Sequence, residues 1–184
     1  MKISLIGMPG SGKSTLGRRL AAHFAYPFLD LDAAIVARAG RSIPAIFAAE
    51  GEAYFRQLEA DALREVVARP GPLVLATGGG TPCFHANLAV LQAAGLTLWL
   101  DVPVPVLAAR LRRGGLAKRP LLAAAPAAGP TPPGAPDALE TQLRETLVAR
   151  RGFYALAQLQ LPDTRLAGVL ARLAKAGFGA GSAG

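Results

Sequence analysis

Nine consecutive residues, Gly7-Met8-Pro9-Gly10-Ser11-Gly12-Lys13-Ser14-Thr15, are of the types that hold a polyphosphate. From Gly7 to Ser14 they fit the pattern G-x-x-x-x-G-K-[ST]. Glycines take positive φ and let a ligand approach the backbone closely. Successive N–H groups then converge on an anion at a helix N-terminus, where the helix dipole also favours negative charge. Gly10, Ser11, Gly12 and Thr15 belong to that cradle, Lys13 adds a point charge within reach of β- and γ-phosphates, and Ser14 offers a hydroxyl to Mg²⁺. The flanks agree. Lys2 to Ile6 reads as a short buried strand, and Leu16 to Phe24 as a helix with Leu16, Leu20 and Phe24 on one face. A bare glycine turn beside a surface lysine would account for neither flank.

Asp30 and Asp32 form the second constellation. Read at the end of a strand Tyr26–Leu29, two carboxylates two residues apart share a face. Beside a magnesium nucleotide, one can support the metal through water, and the other can take a proton from an acceptor hydroxyl. The competing reading is that one of them, Asp32 by its place before an alanine-rich helix, caps that helix. Gly78-Gly79-Gly80 follows a third apolar strand, Leu73–Ala76, and three glycines there allow a ligand against the backbone. Arg56 sits in a helix Glu52–Val67, four residues from Glu52, and spacing alone makes it a surface ion pair. Arg110, Arg112, Arg113, Lys118 and Arg119 surround Gly114-Gly115, either as a positive lid over phosphates or as a solvated basic helix end. His23 and His85 stand alone, and Cys83 reads as a small packed residue.

The remaining elements must bring these groups together. Helices at Ala33–Ala39, Ser42–Phe47, Ala86–Ala93 and from Pro105 to Arg113 alternate with strands at Leu96–Leu100 and Leu159–Leu161, and Thr164 is placed to cap a last helix to Lys175. The alternation predicts a three-layer α/β/α fold on a five-stranded parallel sheet. Such sheets bind ligands beyond the carboxyl ends of their strands, where the phosphate loop, Asp30/Asp32 and the three glycines would meet. One kinase-sized domain over 1–176 is expected, with a mobile lid about 110–136 that includes the Pro/Ala-rich stretch Ala123–Ala135, and a disordered tail at 177–184.

Composition narrows the classes. Of 184 residues, 52% are hydrophobic and 17% charged, enough to fill a core, yet no apolar run approaches membrane-spanning length. The strand starting near residue 3 leaves no room for a leader, and a single cysteine excludes a disulfide framework, so a cytoplasmic setting is expected. Net charge is +8, but the positive residues lie in short clusters, and aromatic residues make up only 6%. That suits small polyanionic ligands better than a nucleic acid, which would favour a basic stripe or stacking platform. Arg18 and Arg19 read as a solvated helix face.

Taken together, the motifs resemble the shikimate kinase family, among the nucleoside-monophosphate-kinase-like P-loop NTPase folds. The resemblance is collinear through G-M-P-G-S-G-K-S-T, F-L-D-L-D, G-R-S-I-P-A-I-F, G-E-A-Y-F-R-Q-L-E, G-G-G, R-P-L-L (Arg119–Leu122) and R-R-G-F-Y (Arg150–Tyr154), covering roughly residues 3 to 161. It implies ATP and Mg²⁺ as cofactors, shikimate as the acceptor, a monomer, and no nucleic-acid or membrane partner. Lys13, Ser14 and the loop amides would hold ATP and metal, with Asp30 supporting the metal and Asp32 acting as base. Arg56 and Arg150 would clamp the acceptor carboxylate, and Gly78, Gly79 and Gly80 would contact it through backbone. Arg119 would be the lid arginine and Arg112 would lie near the adenine. The chain departs from the family pattern in the insertion after Arg119 and in a short loop Leu161–Arg165, where Arg165 stands in for an Arg-rich adenine loop. Two rivals remain: a kinase for another hydroxy acid such as gluconate, and a nucleotide- or nucleic-acid-binding module without catalysis.

Overall fold

Apolar runs with both faces covered form the centre of the computed structural model, which describes residues 1–114 and 137–178. Strands β1 (Lys2–Ile6), β2 (Phe28–Asp30), β3 (Leu73–Ala76), β4 (Gly95–Leu100) and β5 (Leu159–Leu161) make one sheet in the order β2-β3-β1-β4-β5. Every pairing is parallel, with Ile3 opposite Val74 on one side and Leu96 on the other. Alternation along β1 sends its side chains to two cores. Ile3 and Leu5 join Leu16, Leu20, Val169 and Leu173 on one face; Ile6 joins Leu31, Ile35, Phe55, Leu63 and Tyr154 on the other. This is the three-layer α/β/α fold that the alternation predicts.

Seven helices flank the sheet among the described residues: α1 (Lys13–Phe24), α2 (Leu31–Ala39), α3 (Ile43–Ala68), α4 (Asn87–Ala94), α5 (Val104–Gly114), α6 (Ala138–Tyr154) and α7 (Leu166–Lys175). The α1 helix lies so near the sheet that a Cβ on Gly17 would stand 2.6 Å from the Phe28 ring. Ser42 caps α3 as expected, its hydroxyl accepting from Ala45 N–H at 3.3 Å. The chain breaks at Gly51, where φ is 79°.

Several expectations need correction. Strand β2 begins two residues later than Tyr26–Leu29 predicts and ends one residue later, at Asp30, and α2 starts at Leu31. Asp32 is therefore in the first turn of a helix and not on a strand end. Helix α6 is not announced by the sequence pattern, because only Leu143 and Tyr154 of its seventeen residues are fully covered. Arg165 rather than Thr164 occupies the N-cap of α7, and no side chain caps that helix. The C-terminal residues 177–178 are ordered: Gly177 takes φ 81° and Phe178 N–H bonds Leu173 C=O at 2.8 Å, closing α7 while Phe178 packs on the core. The Ala123–Ala135 insertion, Lys118, Arg119 and residues 179–184 lie outside the described residues.

Candidate active site

The phosphate loop leaves β1 and enters α1 with Gly7, Gly10 and Gly12 at φ 135°, 81° and 97°. The two later values are left-handed positions that a side chain would strain. Lys13 folds along the loop, donating from Nζ to the carbonyls of Gly7 (2.8 Å) and Met8 (3.0 Å). Ser14 Oγ donates to Asp30 Oδ2 at 2.6 Å. The other oxygen of Asp30 accepts from Asp32 N–H at 3.1 Å and so caps α2. The cap is thus Asp30 and not Asp32. A cavity of about 640 Å³ opens here, lined by Gly10, Gly12, Lys13, Ser14 and Thr15 on one side and by Asp30, Asp32, Gly78 and Gly79 on the other. Ser11 is wholly buried behind this wall, and among the described residues its hydroxyl has no hydrogen-bond partner.

The three glycines after β3 act as a strip against which three distant side chains lie. A Cβ on Gly78 would be 3.0 Å from Asp32 Oδ1, one on Gly79 3.3 Å from Arg150 Nη1, and one on Gly80 2.7 Å from Arg56 Nη2. Side chains from α2, α3 and α6 are brought to one run of backbone that no Cβ obstructs. Arg56 is buried and tightly held. Its Nε and Nη2 donate to Glu52 Oε1 at 3.1 and 3.0 Å, and Nη1 donates to Glu59 Oε2 at 2.9 Å. The guanidinium also stacks 4.3 Å from the Phe84 ring centroid. The Glu52 pair that spacing predicts is present with Glu52 exposed, but Arg56 itself is buried and is held from the other side by the buried Glu59. Arg150 lies beside Tyr154, whose hydroxyl donates to Gly79 C=O at 2.5 Å. Cys83 shares this surface. Burial pushes its thiol pKa up, against the opposing fields of Arg150 and Arg56, so the thiol stays protonated and unreactive near neutral pH.

A family model described as shikimate kinase matches residues 9–168, nearly the whole chain. The chain belongs to the shikimate kinase family. A shikimate kinase from Salinibacter ruber is 51% identical over 122 residues, which are 66% of this chain and 59% of that protein. One from Symbiobacterium thermophilum is 42% identical over 85% of this chain and 83% of its own length. Among solved structures, the shikimate kinase from Acinetobacter baumannii in complex with shikimate superposes with a TM-score of 0.78 at 34% identity, covering 95% of this chain and 90% of that one. A gluconokinase from Sinorhizobium meliloti, at 20% identity and a TM-score of 0.58, covering 95% of this chain and 92% of that one, shares the fold alone.

Within this shikimate kinase fold, some groups sit elsewhere than their sequence context suggests. Arg112 does not reach the cavity; its guanidinium pairs with Asp137 at the start of α6. Arg19, read as a solvated helix face, lines the cavity, as do Thr164 and Arg165. Arg18 lies over the Phe28 ring at 5.1 Å. Three residues at the site, although inside the matched motifs or the basic cluster, are given no individual role by the motif reading. Glu59 is 1% exposed and links Arg56 to the Thr81 hydroxyl, which donates to it at 2.6 Å. Its burial follows from its position one turn after Arg56 on the covered side of α3, a periodicity signal available in the sequence. Tyr154 and Arg110 gave no comparable signal, because their partners are 75 and about 100 residues away.

Proposed function

We propose that this chain transfers the γ-phosphoryl group of ATP to the 3-hydroxyl of shikimate, a step of the chorismate route to aromatic amino acids. The observation that carries the proposal is the glycine strip: Asp32, Arg150 and Arg56 lie against Gly78, Gly79 and Gly80, and two of those glycines line the cavity that holds the phosphate loop. A carboxylate acceptor would meet two guanidinium groups, whose planar forks match carboxylate geometry. Its hydroxyl would then stand between Asp32 and the terminal phosphate. Asp32 takes the hydroxyl proton as the new O–P bond forms, the bond to the β,γ-bridging oxygen breaks, and ADP leaves.

ATP is the phosphoryl donor of the family. The residues present also fit Mg²⁺. Among the described residues no group of three or more His, Cys, Asp and Glu side chains could hold a metal by itself. Mg²⁺ with a nucleotide needs no such group, since it keeps waters and phosphate oxygens and takes one or two protein oxygens. The Ser14 hydroxyl and Asp30, already 2.6 Å apart, supply those. When bound, the ion would neutralise charge on the β- and γ-phosphates. Lys13 and the loop amides fix the phosphates by position and field, and Arg119 would add charge from the lid.

Among the described residues no helix is long and apolar enough to cross a membrane. A monomeric, cytoplasmic enzyme built on one domain over 1–176, without nucleic-acid partners, completes the reading. A coupled ADP-release assay with shikimate, gluconate and nucleoside monophosphates tests it. Turnover with shikimate alone is the expected result. Turnover with gluconate alone would move the assignment to another hydroxy acid. No turnover, with steeply salt-dependent DNA or RNA binding, would favour the non-catalytic module.

A further inference from the structure

The arginines at the end of α5 look interchangeable in sequence, but their contacts separate them. Arg113 Nε turns back to Ala109 C=O at 3.3 Å, and Arg112 pairs with Asp137. Arg110 alone of the three crosses to the phosphate loop. Its Nη1 donates to Ser11 C=O at 3.1 Å and, more weakly, to Gly10 C=O at 3.4 Å. It also lies 3.6 Å from where a Cβ on Gly12 would be, and its side chain lines the cavity beside Lys13. The rest of α5 backs the same loop: a Cβ on Gly10 would stand 3.1 Å from Leu111 Cγ and 3.4 Å from Leu107 C=O.

We propose that Arg110 is a positioning residue for the nucleotide, holding the peptide units of Gly10 and Ser11 by their carbonyls. The carbonyls it binds belong to the same peptide planes as the N–H groups of Ser11 and Gly12. Ser11 N–H is already spent on Met8 C=O at 3.2 Å. The other peptide ends in Gly12, which lines the cavity. A cation hydrogen-bonded to the carbonyl end of a peptide polarises it and strengthens its N–H as a donor, and charge-assisted bonds are roughly twice as strong as neutral ones. Arg110 also pins two left-handed glycines whose freedom would otherwise be lost at the moment of binding. Its effect falls on the nucleotide and not on the acid acceptor, whose guanidinium partners sit on α3 and α6.

The inference rests on the kinase reading, and the test separates the two. Arg110→Met keeps the aliphatic stem and removes the charge; Arg110→Lys restores a cation. ATP binding is measured by calorimetry on each full-length variant, with KM for ATP and shikimate and the melting temperature of the free protein. Arg110→Met is expected to weaken ATP binding about tenfold, the loss of one such bond. KM for shikimate should change less than about twofold, and Arg110→Lys should recover most of the ATP affinity. Unchanged ATP affinity in Arg110→Met overturns the proposal while leaving the kinase reading intact. So does an equal rise in both KM values, or a lowered melting temperature that accounts for the loss in both variants. A wild-type chain that binds no ATP overturns both.

Discussion

The phosphate loop and the glycine strip face each other across one cavity, yet they acquire positive character by opposite routes. The loop does it with backbone. Its donors are peptide N–H groups fixed by glycine conformations within nine contiguous residues, and Lys13 is folded onto the loop's own carbonyls. The strip supplies almost no charge itself. It provides room, and the charge comes from Arg56 and Arg150, carried in by helices far apart in the chain. A backbone cradle suits phosphate, a ligand common to many reactions. A side-chain clamp can be specific for one acid, because each guanidinium is aimed by its own partners: Glu52, Glu59 and Phe84 for Arg56, and the neighbourhood of Tyr154 for Arg150. Asp32 sits where the two halves meet.

The largest expected effect is therefore at that junction. Asp32→Asn keeps the size of the side chain and removes the base, and should lower kcat by about 10²–10⁴, the usual worth of a positioned base. KM for ATP should stay within about twofold. Steady-state assays against both substrates check this, and undiminished turnover would remove Asp32 from the chemistry.

The two arginines of the proposed clamp differ next. Arg56 and Glu59 are a buried pair, 4% and 1% exposed. Truncating Arg56 leaves a carboxylate stranded with only Thr81, so Arg56→Ala should lower the unfolding free energy by about 3–5 kcal/mol as well as raising KM for the acid. Arg150 is only half-buried, and Arg150→Ala should raise KM for the acid with little change in denaturant midpoint. Equal stability losses in the two variants would show that they are not aimed in these different ways.

Smaller again is the effect of a methyl group between the halves. A Cβ on Gly79 would stand 2.8 Å from Pro9 Cδ of the phosphate loop and 3.3 Å from Arg150 Nη1. Gly79→Ala must displace one or the other, so KM should rise for both substrates by several-fold, about 1 kcal/mol each. A rise for the acid alone would show that the loop does not yield and that the two regions are mechanically separate.

The same contrast explains what was legible in the chain. The loop was readable because its chemistry is local: glycine spacing, Lys13 and Ser14 lie within one motif, and the strand and helix beside it follow from apolar periodicity. The five strands were readable for the same reason. The acid side was not, since its meaning depends on contacts across the fold. Spacing made Arg56 a surface pair of Glu52, and only family resemblance turned it toward a ligand; the geometry shows that the pair exists, with Glu52 exposed, and that Arg56 itself is buried against Glu59. The capping role that the sequence offers Asp32 falls to Asp30, because β2 ends one residue later than its apolar stretch suggests and α2 begins at once. Helix α6 buries too few side chains to announce itself, although it brings Arg150 and Tyr154 to the site.

Tyr154 gives the finest cut between the halves, since it supports the strip without carrying charge to it. Its hydroxyl donates to Gly79 C=O, and its ring lies 5.9 Å from Trp99 in the core. Burial raises its pKa above the ordinary value of 10.0, and the Arg150 field opposes this only in part. The sign follows from linkage. Because the folded state holds this proton more tightly, the unfolded state ionises first as pH rises. The stabilisation is complete below 10.0 and is lost progressively above it. Unfolding free energy should therefore fall with rising pH in that range, with this tyrosine contributing up to about 1.4 kcal/mol per pH unit. Tyr154→Phe should cost about 1 kcal/mol at neutral pH, the worth of one hydrogen bond, and should flatten that alkaline slope while leaving KM for ATP unchanged. Denaturant titrations of both proteins across the alkaline range measure the difference. An alkaline slope identical in the two would mean that Tyr154 ionises as freely in the fold as out of it, and that Gly79 is held by something other than its hydroxyl.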